Sequence, residues 1–286
     1  MIFLLLSILF SSITVSFFKL FEIKNVVTFQ AIIANYLTCS IIGTFFAKHP
    51  LYSAELWQAD WLIWAFLLGS LFISIFYAIA LTAQKISVST SMVAAKLSVV
   101  IPVLVAYFFY NENLGFLKII GIFLSLFAVY FISRKESGEA SAPLSLLVLP
   151  IIVFAGSGSI DTLLKFMEHS FIPAYSADDL VTTSFFFAFV LGVLILLVSY
   201  FRGGIKLSSL SLLWGVLLGI PNYFSMYFLV ETLGAFDATY IFPLNNIGIV
   251  ALSTLLAYWF FKEKLNKQNM LGLVLAFLAI ILISFS

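Results

Sequence analysis

The sequence predicts an all-α integral membrane protein of ten transmembrane helices, arranged as two inverted five-helix repeats. Three observations carry that expectation. Of 286 residues, 63% are hydrophobic and 9% charged, too few polar groups to cover a water-facing surface, so the solvent of the folded chain is lipid. The apolar residues fall into ten runs, each close to the 20 or so helical residues that a hydrocarbon core of about 30 Å requires. The second half of the chain also echoes the first.

The runs, in order, are Ile2 to Leu20, Val27 to Ala47, Trp61 to Thr82, Ser87 to Tyr110, Leu114 to Ser133, Leu144 to Phe166, Leu180 to Phe201, Leu210 to Val230, Ala238 to Phe261 and Met270 to Ser284. They lack the period-2 alternation of barrel strands, and only helices or closed barrels satisfy their own backbone in lipid. The first run follows Met1 without a basic n-region or small-residue cleavage site, which predicts a permanent span rather than a secretory signal. The five tryptophans, Trp57, Trp61, Trp64, Trp214 and Trp259, stand near run ends, where amphipathic rings favour the headgroup level. The stretch Arg134 to Pro143 (RKESGEASAP) is polar and falls between the fifth and sixth runs. It divides the chain into a first repeat at 1–136, a linker at 137–143 and a second repeat at 144–286.

The echo is specific. Displacing the chain by 151 residues pairs Ala106 with Ala257, Tyr107 with Tyr258, Phe109 with Phe260, Glu112 with Glu263, Leu114 with Leu265 and Gly121 with Gly272. It also pairs Leu124 with Leu275, Ala128 with Ala279, Ile132 with Ile283 and Ser133 with Ser284, ten identities within 28 positions. A second echo at 150 includes Trp64 with Trp214, Gly69 with Gly219 and Tyr77 with Tyr227. A repeat of five spans enters the membrane in the opposite sense from its partner, the geometry of many secondary transporters, whose sites lie near the midplane.

Several motifs resemble the drug/metabolite transporter superfamily in its ten-span EamA-type branch. They are the proline-bearing run Val99 to Val103, the Tyr110-Asn111-Glu112-Asn113-Leu114 stretch followed by Gly121, the counterpart Lys262-Glu263-Lys264-Leu265 followed by Gly272, and the lysines Lys19 and Lys165. Asn111, Asn113 and Lys264 depart from or vary the usual pattern without disturbing the repeat. The resemblance implies a multi-pass transporter of the cell (inner or plasma) membrane that moves a small metabolite, such as an amino acid or related compound, in the export direction. It implies alternating access around a cavity lined by spans one to four and six to nine, with spans five and ten peripheral. The expected partners are a small-molecule substrate, a proton as candidate coupling ion and the lipid bilayer. The chain is expected to be a monomer or homodimer without cofactor, metal or nucleic acid. The rival readings are a flippase of a lipid-linked substrate on the same fold and a membrane-embedded enzyme. The enzyme is disfavoured because the two histidines, His49 and His169, fall in predicted loops and no metal cluster or serine–histidine dyad assembles inside the membrane.

Charge gives two different orientations. With alternating loops, ten of the 14 lysines and arginines lie on the side that joins odd to even spans. The positive-inside rule then places both termini outside the cytoplasm, whereas the resemblance implies the reverse. A net charge of +1 supplies no field for nucleic acid. Cys39 is the sole cysteine, which excludes an intramolecular disulfide.

Polar residues within the runs mark the candidate site. Lys96 lies nine residues into the fourth run, about 13 Å deep at 1.5 Å per residue, while a lysine stem reaches only about 6 Å. It is either a structural lysine held by carbonyls or a carboxylate, or a group that handles substrate or protons. Asp161 is its natural partner, or alternatively an interfacial aspartate beside Lys165. Gly156 and Gly158 read as close-packing positions. Pro221 and Pro243, with Pro102, predict helix breaks near which Asn222, Tyr223, Tyr227, Asn245 and Asn246 face a wet cavity, although asparagines also join membrane helices. Ser70, Ser74 and Tyr77 form a polar stripe on the third run and Asn35 with Thr38 a shorter one on the second, candidates for the same cavity or for helix contacts. Glu112 and Glu263 are expected to cap the following helix or pair with lysines.

Overall fold

The computed structural model describes residues 1–85, 88–133, 146, 148–172, 175–202, 207–262 and 266–285. The predicted linker, Ser87, Glu263 and Lys264 lie outside them. The described residues contain helices and no strand. The helices are α1 (Ile2–Ile23), α2 (Thr28–Phe46), α3 (Leu62–Lys85), α4 (Val88–Leu97), α5 (Val100–Phe109), α6 (Phe116–Ser133), α7 (Val148–Phe171), α8 (Ala177–Phe201), α9 (Ser209–Leu233), α10 (Ala238–Phe261) and α11 (Lys267–Ser284). Seven of the described helices are long and apolar enough to cross a membrane, and three shorter apolar stretches stand at Val93–Phe109, Phe116–Phe131 and Lys267–Ile283.

The fourth run is not one helix. It stops at Leu97 and restarts at Val100, because Pro102 lacks an N–H and its ring crowds the carbonyl of Ser98, four residues earlier. That carbonyl accepts instead from the Ile101 N–H at 2.9 Å, and the Ser98 hydroxyl donates back to the Ala95 carbonyl at 2.6 Å. Irregular backbone is tolerated at membrane depth where protein covers it, and Ser98 and Val99 are both buried. The other two expected breaks do not occur. Pro221 and Pro243 lie inside continuous helices, α9 and α10. In lipid a helix that carries a proline forgoes one backbone bond, whereas an unwound one exposes several groups.

The chain packs as two compact units, Met1–Ser74 with Leu163–Gly234 and Ile75–Thr162 with Ala235–Ser286. Their boundaries fall inside α3 and α7, so each unit draws helices from both halves of the sequence.

In the first unit α9 packs against α1, α2 and α8, and α2 also packs against α8. Close approach rests on glycine. A Cβ on Gly215 would stand 2.2 Å from the Ala31 carbonyl oxygen, and one on Gly219 would stand 2.5 Å from the Thr38 Cβ; the pair forms the small-xxx-small pattern that lets membrane helices touch backbone to backbone. Tyr36, Phe72 and Phe185 stack on one another with centroids 5.3 to 6.4 Å apart. At the start of α8, Ser176 and Asp179 form a capping box. The Asp179 carboxylate also accepts from the His49 backbone N–H at 2.7 Å and lies 3.0 Å from His49 Nδ1, which ties the α2–α3 loop to α8. Trp61 is fully buried against Tyr175, at 5.4 Å, so this tryptophan is a core residue and not a headgroup anchor. His169 sits in the last turn of α7, not in a loop.

In the second unit α6 and α11 pair and α10 packs on both. Ala128, Val129, Ile247, Val250, Ala276 and Ala279 form the shared core, and Gly121 abuts Ile283 and the Ala279 carbonyl. Gly156 meets Ile75, and Gly158 meets Ile101, consistent with their reading as packing glycines. Glu112 caps a helix that lies far along the chain, α10. Its carboxylate accepts from the Ala238 and Thr239 N–H groups at 3.0 and 2.8 Å, satisfying two of the otherwise unpaired donors at the start of α10 and placing negative charge at the positive end of its dipole. Glu112→Ala is expected to lower stability by about 1–2 kcal/mol, read as a fall in the tryptophan-fluorescence unfolding midpoint in detergent. Glu22→Ala, which removes only an exposed pair with Lys19 at 3.4 Å, is expected to leave the midpoint nearly unchanged.

Candidate functional site

The break before Pro102 places Lys96 in the last turn of α4, beside the partial negative charge of a helix C-terminus, which offsets part of the cost of a cation inside lipid. Its ammonium donates to the Asn246 side-chain oxygen on α10 at 3.0 Å. Asp161 on α7 and Lys96 lie within electrostatic range of one another without a contact ion pair, so the direct partner is the amide and the carboxylate acts through space. Lys165, the other candidate neighbour of Asp161, is occupied elsewhere. It pairs with Glu168 at 2.9 Å and donates to the carbonyl of Leu233, the last residue of α9, at 3.2 Å. Asn245 and Asn246 are both buried. The second unit thus gathers Lys96, Asn246 and Asp161 around a discontinuous helix, with a donor-rich cation, a neutral amide and a carboxylate. Such a set can hold an anionic group on the ammonium, or pass a proton between lysine and carboxylate.

A second polar cluster belongs to the first unit. The Asn222 amide donates to the Asn35 side-chain oxygen at 3.1 Å, and the Cys39 thiol donates to the Gly219 carbonyl at 3.3 Å. Both links join α2 to α9, so Asn35 and Asn222 act first as glue between helices. Cys39 is fully buried and is expected to resist maleimide in the folded protein and to react stoichiometrically once detergent denaturation exposes it, as mass spectrometry would read. Tyr223 stacks nearly parallel on Tyr227, with centroids 6.4 Å apart and 5° between planes, and its hydroxyl donates to Asp178 in the first turn of α8.

Asp178 is a polar partner that reading of the sequence misses, because the apolar run that marks this span begins two residues later at Leu180. The signal that finds it is the Ser176-x-x-Asp179 capping pattern, which starts the helix earlier. On α3, Ser74 and Tyr77 are exposed and Ser70 returns its hydroxyl to the Phe66 carbonyl at 2.7 Å. The stripe is not drawn into either cluster by any of these bonds.

Residues 144–285, the second half of the chain, match the model of the EamA-like transporter family. An uncharacterized protein of Haemophilus influenzae is 28% identical over 271 residues, 92% of this chain and 90% of that protein. A solved crystal structure superposes with a TM-score of 0.80 at 15% identity, covering 99% of this chain and 96% of that one, a likeness of fold.

Proposed function

We propose, from the premise that this chain belongs to the EamA-like transporter family of the drug/metabolite transporter superfamily, that it is a secondary transporter of a small metabolite. The cargo is an amino acid or related compound, exported across the plasma membrane by alternating access. The observation that carries this reading is the Lys96–Asn246 hydrogen bond of 3.0 Å at the end of a discontinuous helix. Ionisable groups inside membrane helices are costly and serve pathways for substrates or protons, and transporters place their binding groups where helices are interrupted. Lys96 supplies the charge that holds an anionic group of the cargo, Asn246 fixes the direction of the ammonium, and Asp161 tunes its charge through space.

The chain is read as ten spans in two inverted repeats. Two features support this beyond the sequence echo. Asn111 and Lys262, 151 positions apart, both adopt left-handed backbone with φ of 54°. Ala128 and Ala279, also 151 apart, share one core cluster, as residues near a pseudo-two-fold axis do. Purified protein in liposomes preloaded with unlabelled amino acids and other small metabolites, one per preparation, tests the function. Saturable counterflow of the matching labelled compound is the expected result. Flux across the whole panel that equals protein-free liposomes would remove amino acids and their relatives as cargo.

A further inference from the structure

Lys96 and Asp161 carry opposite charges that attract one another, yet they do not touch. Among the described residues neither has an oppositely charged group within 4.0 Å. A lysine ammonium has three donors, and a carboxylate accepts at two oxygens. Lys96 spends one donor on Asn246, and among the described residues the Asp161 carboxylate accepts no hydrogen bond. Charge inside a membrane helix is costly until it is paired, and an ion pair that serves structure alone closes to contact.

Packing holds these two apart. Ala94, two residues before Lys96, is buried together with Val153 of α7 and Ala78 of α3. Past the break, a Cβ on Gly158 would stand 2.5 Å from Ile101 Cδ1, so α7 lies close against α5. Asp161 follows Gly158 by three residues, near the same helix face. Contacts on both sides of the break therefore fix α7 against α4 and α5, and Asn246, itself buried, draws the ammonium to α10. Lys96 and Asp161 are nevertheless partly exposed, so a ligand can reach both. Fixed donors and a fixed acceptor that are kept from each other are preorganised for a molecule bearing both charges. An anion without an ammonium satisfies Lys96 but places like charge beside Asp161. An amine without a carboxylate makes the reverse error, so the pair selects against both.

We propose that Asp161 is a specificity-determining residue of the Lys96 site. It accepts hydrogen bonds from the ammonium group of a zwitterion whose carboxylate Lys96 holds, so the cargo must carry both groups. The assignment rests on the reading of Lys96 as the anion-binding group and deepens it, because Asp161 then touches the cargo in addition to acting on Lys96.

The test is isothermal titration of the purified full-length chain with free alanine, leucine and phenylalanine. Each is measured beside the acid that lacks its amino group (propionate, 4-methylpentanoate, 3-phenylpropionate) and the amine that lacks its carboxylate (ethylamine, 3-methylbutylamine, 2-phenylethylamine). At least one amino acid is expected to bind at least tenfold more tightly than both of its truncated counterparts, the scale of one charge-assisted hydrogen bond. In Asp161→Asn that amino acid is expected to lose at least tenfold in Kd while the matched acid keeps or gains affinity. A merely structural role would weaken both alike. The wild-type comparison needs no variant and decides the matter where Asp161→Asn does not fold. Equal Kd values for each amino acid and its matched acid, absence of binding across the panel, or an unchanged preference in folded Asp161→Asn would overturn the assignment. Tight amino-acid binding without counterflow would remove the transport reading alone. Counterflow of the truncated acids at the rate of the amino acids would remove this assignment alone.

Discussion

Gly215→Val is expected to cost the protein more stability than any other single substitution considered. Any Cβ at this position runs into Ala31 carbonyl oxygen at 2.2 Å, Ala34 Cβ at 2.7 Å and Ala31 Cα at 2.8 Å. Two of these three atoms are backbone and have no rotamer to move into, so α2 itself must retreat from α9. The retreat would stretch the Asn222–Asn35 bond of 3.1 Å and the Cys39–Gly219 bond of 3.3 Å, and would disturb the buried cluster of Phe21, Val26, Ala31 and Leu218 nearby. Overpacking costs about 1–3 kcal/mol, and the strained polar bonds between the helices add about 0.6 kcal/mol each. The thermal unfolding midpoint in detergent should therefore fall by several degrees for Gly215→Ala and further for Gly215→Val. Gly115→Ala, where an added Cβ meets nothing within 4 Å, should stay within about 0.5 kcal/mol of wild type. A wild-type midpoint for Gly215→Val would contradict the backbone contact between α2 and α9.

The parts of this fold that were legible in the sequence are those fixed by local chemistry. Apolar runs long enough for a hydrocarbon core announce the helices, and Gly156 and Gly158 announce close packing because a missing side chain has few other uses in an apolar run. Glu112 was legible as a cap, but not as the cap of α10, since a helix start 126 residues away in sequence is a tertiary fact. Prolines illustrate the same limit. Pro102, Pro221 and Pro243 each remove one N–H, and only Pro102 ends a helix, because there the Ser98 carbonyl finds the Ile101 N–H at 2.9 Å. The candidate site was legible as a short list of polar residues inside apolar runs, with Lys96 foremost. Its pairing was not. Asp161 is the obvious partner by charge, yet Lys96 bonds to Asn246, 150 residues along the chain, and Asp178 was hidden by sitting just outside its apolar run.

Lys96→Met is expected to have the largest effect on function. The methionine keeps most of the stem and its packing but removes the ammonium that donates to Asn246 at 3.0 Å and that faces Asp161 electrostatically. A hydrogen bond to a charged group is worth about 1.5–3 kcal/mol, so an interaction used in the transport cycle should take roughly ten- to a hundredfold off the rate when lost. Some stability is also expected to be lost, because Asp161 loses the cation it faces and the Asn246 side-chain oxygen loses its donor. Lys96→Arg keeps the charge but presents a planar fork in place of a compact ammonium, and should fall between the two. The measurement that tests the central claim most directly is cargo counterflow in liposomes, wild type beside Lys96→Met, with both proteins shown to be folded by their unfolding midpoints. The account predicts that counterflow in Lys96→Met drops to near the level of protein-free liposomes; counterflow at the wild-type rate and with the wild-type pH dependence would contradict it.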